Sequence, residues 1–183
     1  MNRTDGVKEQ VPVSPKAIER VQSECTRLDD DIRWITALIS DTGMRLSEAI
    51  GLAKTDIILD HPHPHVVIQP HPWRRLKTEG SKRIVPLVGS TLWVAERARK
   101  ASNGEQLFPR NIRNGECLSN SASAAINKWL KHHIPKECSV HSFRHSMRDR
   151  LRAVECPKDI VDQIGGWSSG SIGEGYGRGY TVE

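Results

Sequence analysis

Apolar residues recur at helical spacing along most of this chain. Ile32, Ile35, Leu38 and Ile39 repeat at intervals of three and four residues until Gly43 interrupts them. This spacing predicts an amphipathic helix. The three aspartates just before the run suit a helix N-terminus, where the helix dipole favours negative charge.

Start and stop signals place the other helices. Ser14 followed by Pro15 is typical of an N-cap and a first helical position, so we predict a helix from there to about Leu28. Residues 1–13 are interpreted as a disordered leader and residues 14–183 as one domain. Further helices are predicted at 46–52, 90–101, 120–133, 141–155 and 158–164.

A strand-like pattern occupies the middle of the chain. Prolines surround the apolar run 66–68, which leaves room for a short strand, and 83–87 is predicted to be its antiparallel partner across a turn at 79–81. The predicted fold class is therefore α+β, with a small antiparallel sheet in a mainly helical domain.

Composition excludes several classes of protein. With 183 residues and 37% apolar content, the chain can bury one core. No apolar run approaches the roughly 20 residues that span a bilayer, and the N-terminus resembles no signal peptide, so we expect a cytoplasmic protein without a membrane partner. The scattered cysteines are expected to be reduced and structural; they are Cys25, Cys117, Cys138 and Cys156.

The net charge of +5 is unevenly distributed. Residues 1–70 contain 8 Lys and Arg against 11 Asp and Glu, whereas residues 71–183 contain 19 against 11. A basic half of this kind attracts phosphate-rich polymers without specifying their sequence. An ordinary solvated charged face is the alternative interpretation.

The predicted helix at 141–155 has two distinct faces. The apolar stripe, expected to face the core, comprises Phe143, Met147, Leu151 and Val154. The other face comprises His141, Arg144, His145 and Arg148. His141 and Arg144 fall in the first turn, where backbone N–H groups also favour an anion, so this end suits a phosphate. A basic, solvent-exposed helix face is the alternative.

Two further segments carry candidate cationic groups. Arg45 follows a sharp turn at the start of a short helix, and Glu48 lies one turn later, near enough to orient it. A guanidinium at this place is a natural bidentate clamp for phosphate oxygens. Lys77 precedes the predicted hairpin turn and is expected to project from its tip. Lys82 and Arg83 are interpreted as solvated edge charges.

Taken in order, these motifs resemble the tyrosine recombinase (phage integrase) family over about residues 15–180. They are Thr-Gly-x-Arg45-x-Ser-Glu48, Lys77 before Val-Pro-Leu, His141-x-x-Arg144, Gly-Gly-Trp167 and Tyr176. The resemblance implies a mainly helical DNA breaking-rejoining catalytic domain with a small antiparallel sheet. It also implies integration or site-specific recombination of double-stranded DNA through a covalent 3′-phosphotyrosine, with no metal or other cofactor.

The residues suggest a division of the chemical work. Tyrosine has a reference pKa of about 10, so attack by Tyr176 needs a proton acceptor, for which His141 is the candidate. Arg45 and Arg144 would neutralise the charge that develops on the phosphoryl oxygens. Lys77 would protonate the departing 5′-oxygen as general acid.

The C-terminal segment departs from the commonest family pattern. Trp167 stands where most members have histidine, and its indole N–H can donate a hydrogen bond but cannot shuttle a proton. Phosphate contact and core packing both stay open for it. Tyr180 is a rival to Tyr176 as nucleophile, with a less typical spacing from Trp167. Half of the 14 glycines lie in 165–179, which predicts an irregular tyrosine segment in the free protein.

Length also affects the interpretation. Forty-four residues precede Arg45 and seven follow Tyr176, so we expect the family's N-terminal core-binding domain to be absent. The chain is then expected to be a monomer in isolation with weak affinity for DNA, and a tetramer on DNA when full length. A catalytically impaired DNA-binding fragment and a DNA-relaxing enzyme similar to type IB topoisomerases remain alternatives.

A histidine-rich stretch invites a metal-site interpretation. It contains His61, His63, His65 and His71. The interleaved prolines favour a solvated or packed loop, and no metal site is predicted.

Overall fold

The computed structural model describes residues 11–78, 81–167 and 181–182. Within these ranges the chain forms seven α-helices and five short strands. The helices are α1 (Pro15–Leu28), α2 (Asp31–Thr42), α3 (Leu46–Ile50), α4 (Ser90–Ala101), α5 (Ser119–Leu130), α6 (Ser142–Ala153) and α7 (Lys158–Gly165). The strands are β1 (Ile57–Ile58), β2 (His65–Ile68), β3 (Arg83–Pro86), β4 (Ile112–Arg113) and β5 (Glu116–Cys117). The predicted α+β class is confirmed.

The first two helices begin and end where the sequence predicted. The Ser14 hydroxyl accepts a hydrogen bond from the backbone N–H of Ala17 at 3.3 Å, and proline occupies the first position of α1. Asp30 caps α2 by accepting from the N–H of Arg33 at 3.1 Å. Gly43 ends α2 in the left-handed conformation, with φ of 63°.

Helix α2 lies at the centre of the core. It contacts α1, α3, α4, α5 and α6, and Ile35, Leu38 and Ile39 on it are fully buried. Val13 is also buried, and its N–H donates to the Ser146 hydroxyl of α6 at 2.7 Å. The packed part of the chain therefore includes Val13, which the sequence analysis assigned to the leader, whereas residues 1–10 lie outside the described ranges.

A three-stranded antiparallel sheet packs beside the helices in the order β1-β2-β3. Val66 pairs with Val85 and Ile68 with Arg83, which confirms the predicted strand pair. Strand β1 and the β4-β5 hairpin were not predicted, because a strand of two residues has no alternation to detect.

The connection between β2 and β3 differs from the predicted hairpin. Strand β2 ends at Ile68, so Lys77 lies in a long irregular connection and not at the end of a strand. The connection is held against α3, because the Trp73 indole donates to the Gly51 carbonyl at 2.9 Å and Arg74 to the Glu48 carbonyl at 3.0 Å.

Helix α6 also differs in part from its predicted pattern. Phe143 is fully buried, but Val154 is 73% exposed because it follows the last residue of the helix. Its assignment to the core was wrong. Arg144, expected on a cationic face, is only 4% exposed, and this burial is central to the site described below.

The histidine-rich stretch packs as a loop and strand. His65 is buried in β2, and the His71 ring lies 2.7 Å from a carboxylate oxygen of Asp56 and stacks on Trp73. No group of three or more metal-binding side chains occurs in 11–78, 81–167 and 181–182.

All four cysteines are free, and burial raises the pKa of Cys25 to about 12. Among the helices of the described part, none is long and apolar enough to cross a membrane.

We expect Gly43→Ala to lower the free energy of unfolding by about 1–3 kcal/mol, because a non-glycine residue is strained at positive φ. The added methyl group would also lie 2.9 Å from Cβ of Met147 on α6. Urea denaturation measures the change. Gly104→Ala is the control: among the described residues no heavy atom lies within 4 Å of its added Cβ, so we expect a change within about 0.5 kcal/mol. Equal effects of the two substitutions would contradict this account.

Candidate active site

Cationic side chains from three elements meet on one side of the molecule, at the end of a fourth element. Arg45 is the N-cap residue of α3, Arg83 begins β3, and Arg144 lies in the first turn of α6. The end of α7 completes the group, since Arg45 and Arg83 both donate to its carbonyls. Residues far apart in the sequence thereby form one cationic site.

Glu48 is the buried centre of this site. One carboxylate oxygen accepts from the backbone N–H of Arg45 and the other from its guanidinium, both at 2.8 Å. Arg83 donates to the same two oxygens at 2.8 and 3.1 Å. Burial alone would raise the pKa of Glu48, but the hydrogen bonds and charge of Arg83, with the contacts of Arg45, outweigh it and lower the pKa. Glu48 is therefore an ionised anchor for two guanidinium groups.

Arg83 is a site residue that the sequence analysis missed. It was interpreted as a solvated edge charge, yet it is 6% exposed. Each of its three guanidinium nitrogens has a partner, among Glu48, the Ser81 carbonyl and the Ile164 carbonyl. Residues in β3 alternate between buried and partly buried positions, and Arg83 shares the buried face with Val85. This alternation was the signal available in the sequence.

Arg45 keeps part of its guanidinium available. Its firm bond is to Glu48, whereas its contacts to the Ser81 hydroxyl and the Gly166 carbonyl are long, at 3.4 and 3.3 Å. The side chain is 23% exposed. Arg45 is thus held by one edge, and an external oxygen could replace either weak partner.

Arg144 is buried with an unused donor. One guanidinium nitrogen donates to the Gly43 carbonyl at 2.8 Å, while within the described residues the Nη2 atom is buried and has no hydrogen-bond partner. Desolvation, together with the positive charges of Arg45 and Arg83, lowers the pKa of Arg144 to about 10. A buried cation with a free N–H and cationic neighbours is arranged to receive an anion.

His141 lies at the N-terminus of α6 beside these cations. Its ring centre is 5.2 Å from that of His145. Partial desolvation lowers the pKa of His141, and the positive charges of His145, Arg144, Arg45 and Lys77 lower it further. The imidazole is therefore neutral at pH 7 and able to accept a proton.

Lys77 lies in the β2-β3 connection, and its positive charge contributes to the lowered pKa of His141. The neighbouring Thr78 hydroxyl is 2.9 Å from the Ser81 hydroxyl, which in turn accepts from Arg45. The hydroxyls of Thr78 and Ser81 thus link the arginine site to the connection in which Lys77 lies.

Trp167 packs on the guanidinium groups of α6. Its ring centre is 4.4 Å from Arg144 and 5.1 Å from Arg148, and its backbone N–H donates to the Asp162 carbonyl at 2.9 Å. The indole therefore covers Arg144 by a cation–π contact. Tyr176, Tyr180 and the predicted irregular segment around them lie outside the described residues.

Comparisons with known proteins identify the family and the fold of the chain. The model of the phage integrase family matches residues 13–180. The tyrosine recombinase XerD of Corynebacterium glutamicum is 32% identical over 153 residues, covering 79% of this chain and 47% of that protein. The chain therefore spans about half the length of this relative.

Solved structures share the fold at low sequence identity. XerH bound to a palindromic difH substrate, in a post-cleavage complex, has a TM-score of 0.68 and 17% identity over 92% of this chain and 49% of that one. XerA recombinase has a TM-score of 0.67 and 18% identity over 91% and 58%. The Tn1549 transposon integrase in complex with transposon right end DNA has a TM-score of 0.65 and 18% identity over 96% and 66%. The chain belongs to the phage integrase family and has the fold of the tyrosine recombinase catalytic domain.

Proposed function

We propose that this chain is the catalytic domain of a DNA integrase or site-specific recombinase. It cleaves and rejoins double-stranded DNA through a covalent 3′-phosphotyrosine. The observation that carries the proposal is a buried N–H of Arg144 that has no partner within the described residues, beside the partly available guanidinium of Arg45. Family membership and the basic C-terminal half support it.

The scissile phosphate would bind between Arg45 and Arg144. A phosphodiester offers two non-bridging oxygens, and the Arg144 Nη2 would donate to one while Arg45 exchanges its weak contacts for the other. Charge that develops on these oxygens in the transition state is then neutralised by fixed guanidinium groups in a partly desolvated site. These cations would do the work that metal ions do in other nucleases.

Tyr176 would attack the phosphorus atom, and His141 would accept the phenol proton. The lowered pKa keeps the imidazole in the proton-accepting form. Lys77 would donate a proton to the departing 5′-oxygen. Because the phosphotyrosine preserves the energy of the broken bond, attack by a 5′-hydroxyl rejoins the strand without ATP.

The partner of the site is duplex DNA, as in the XerH and Tn1549 integrase complexes. We propose that this chain alone is a monomer and that a longer form assembles as a tetramer on DNA. The solved lambda integrase tetramer on a Holliday junction, at 13% identity and a TM-score of 0.62, has the same fold. Such a chain would act in the DNA-containing compartment of the cell.

We expect Tyr176→Phe to abolish covalent capture of a nicked duplex that releases the short strand after cleavage. Without the phenol oxygen no phosphotyrosine can form. The adduct is measured as a shifted band on a denaturing gel and mapped by mass spectrometry. Tyr180→Phe is the matched control and should leave the adduct yield unchanged. Loss of the adduct in Tyr180→Phe instead would assign the nucleophile to Tyr180.

We expect Arg144→Ala to reduce the rate of adduct formation by about 10²–10³-fold, the usual loss when a preorganised oxyanion donor is removed. Single-turnover kinetics at saturating protein measure the rate. Arg152 lies on the same helix but is exposed, so Arg152→Ala should change the rate by less than about threefold. Equal losses in both variants would show that α6 supplies only general positive charge.

We expect His141 to titrate below 6.5, its ordinary value, in the free protein. A lowered pKa means that the neutral form persists to more acidic pH, with the midpoint of protonation below 6.5. An NMR titration of the imidazole signals measures the midpoint, and His141→Gln identifies the signal by removing it. A midpoint at or above 6.5 would contradict the proposed electrostatic environment.

A further inference from the structure

Arg83 contacts both parts of the site that must be aligned for cleavage. Its Nη1 and Nη2 atoms donate to the two carboxylate oxygens of Glu48 at 3.1 and 2.8 Å, and its Nε donates to the Ile164 carbonyl at 2.8 Å. One planar side chain thereby joins α3 to the last turn of α7.

The contact with Glu48 fixes the orientation of Arg45. Because Arg83 binds both carboxylate oxygens, the plane of the carboxylate is set, and the same oxygens hold the backbone and guanidinium of Arg45 at 2.8 Å. Arg83 therefore orients the part of the Arg45 guanidinium that can bind a ligand, although Arg83 has no exposed donor of its own.

The contact with α7 fixes the point at which the chain leaves for Tyr176. Gly166 follows α7 with φ of 60°, and a Cβ added there would lie 2.8 Å from the Nη1 atom of Arg83. Arg45 also reaches the Gly166 carbonyl, at 3.3 Å. Both guanidiniums thus hold the end of α7, next to Trp167.

Stability alone does not account for this buried pair. Replacing a buried ion pair by apolar residues of similar size is often neutral or stabilising, because desolvation of the charges offsets their attraction. The geometry explains the pair better, since a planar guanidinium with five donors can bind a carboxylate and a carbonyl at fixed angles.

We propose that Arg83 is a positioning residue for DNA cleavage. It holds the phosphate-binding guanidinium of Arg45 in register with the end of α7, from which the chain continues to the nucleophile Tyr176. The proposal rests on the proposed function, and it assigns Arg83 no contact with DNA.

The test compares Arg83→Met and Arg83→Lys with Arg97→Met. Arg97 is an exposed arginine of α4 whose ion-pair partner is Asp29, so Arg97→Met removes the same charge away from the site. Three quantities are measured: the single-turnover rate of adduct formation at saturating protein, the Kd for a duplex, and amide hydrogen exchange in residues 158–167. A double-mutant cycle combines Arg83→Met with Arg45→Lys.

We expect both Arg83 variants to lose about 10–10²-fold in rate, because a small misplacement of catalytic groups has effects of this size. The Kd should change less than about threefold, since Arg83 contacts no phosphate. In the Arg45→Lys background, Arg83→Met should lower the rate of adduct formation less than about threefold, because Arg83 acts through the Arg45 guanidinium. Amide hydrogen exchange in residues 164–167 should be faster in both Arg83 variants than in Arg97→Met.

An equal fold loss from Arg83→Met in both backgrounds would overturn the proposal, because it would show that Arg83 acts independently of Arg45. Wild-type rates in both variants would also overturn it. If Arg83→Met does not fold, the same three measurements on Arg83→Lys decide the proposal, because lysine keeps a positive charge opposite Glu48. If the unsubstituted chain forms no adduct, the proposed function fails, and the exchange measurement still decides whether Arg83 holds the end of α7.

Discussion

The arrangement of the site depends on one buried carboxylate. Glu48 is 2% exposed, and a carboxylate at such a place requires positive partners that satisfy both oxygens. Arg45 and Arg83 supply them from α3 and β3, which fixes the sheet against the helices. The charge of Glu48 also acts on Arg144, so three guanidiniums share one carboxylate and the site retains an excess of positive charge.

That excess explains why the site is suited to a phosphate. The positive charges of Arg45 and Arg83 lower the pKa of Arg144, as its burial does, so the free protein already holds a poorly solvated cation. A phosphodiester placed there would neutralise the repulsion and satisfy the Nη2 donor of Arg144, which has no partner in 11–78, 81–167 and 181–182. Desolvation and the neighbouring positive charges, Arg45 among them, also lower the pKa of His141, so the proposed phosphate site and the proposed proton acceptor share an electrostatic environment.

Local chemistry made much of the fold predictable from the sequence. Ser14 and Pro15 start α1 and Gly43 ends α2, because capping depends on a few neighbouring residues. The contact of Arg45 with Glu48 was predictable for the same reason, since both lie in one helical turn. The remaining candidate site residues were proposed from the order of the motifs, because no local rule brings them together.

The errors arose where distant contacts decide the environment of a residue. Arg83 was interpreted as exposed because its partners, Glu48 and the Ile164 carbonyl, are 35 and 81 residues away in the sequence. Arg144 was expected on a cationic face, yet the Gly43 carbonyl lies 101 residues before it and holds it inside the protein. A basic side chain favours water unless the fold provides acceptors. Here Glu48 and the carbonyls at the ends of α2 and α7 provide them. Arg83 is occupied by such acceptors, whereas within the described residues Arg45 and Arg144 keep donors for the proposed ligand.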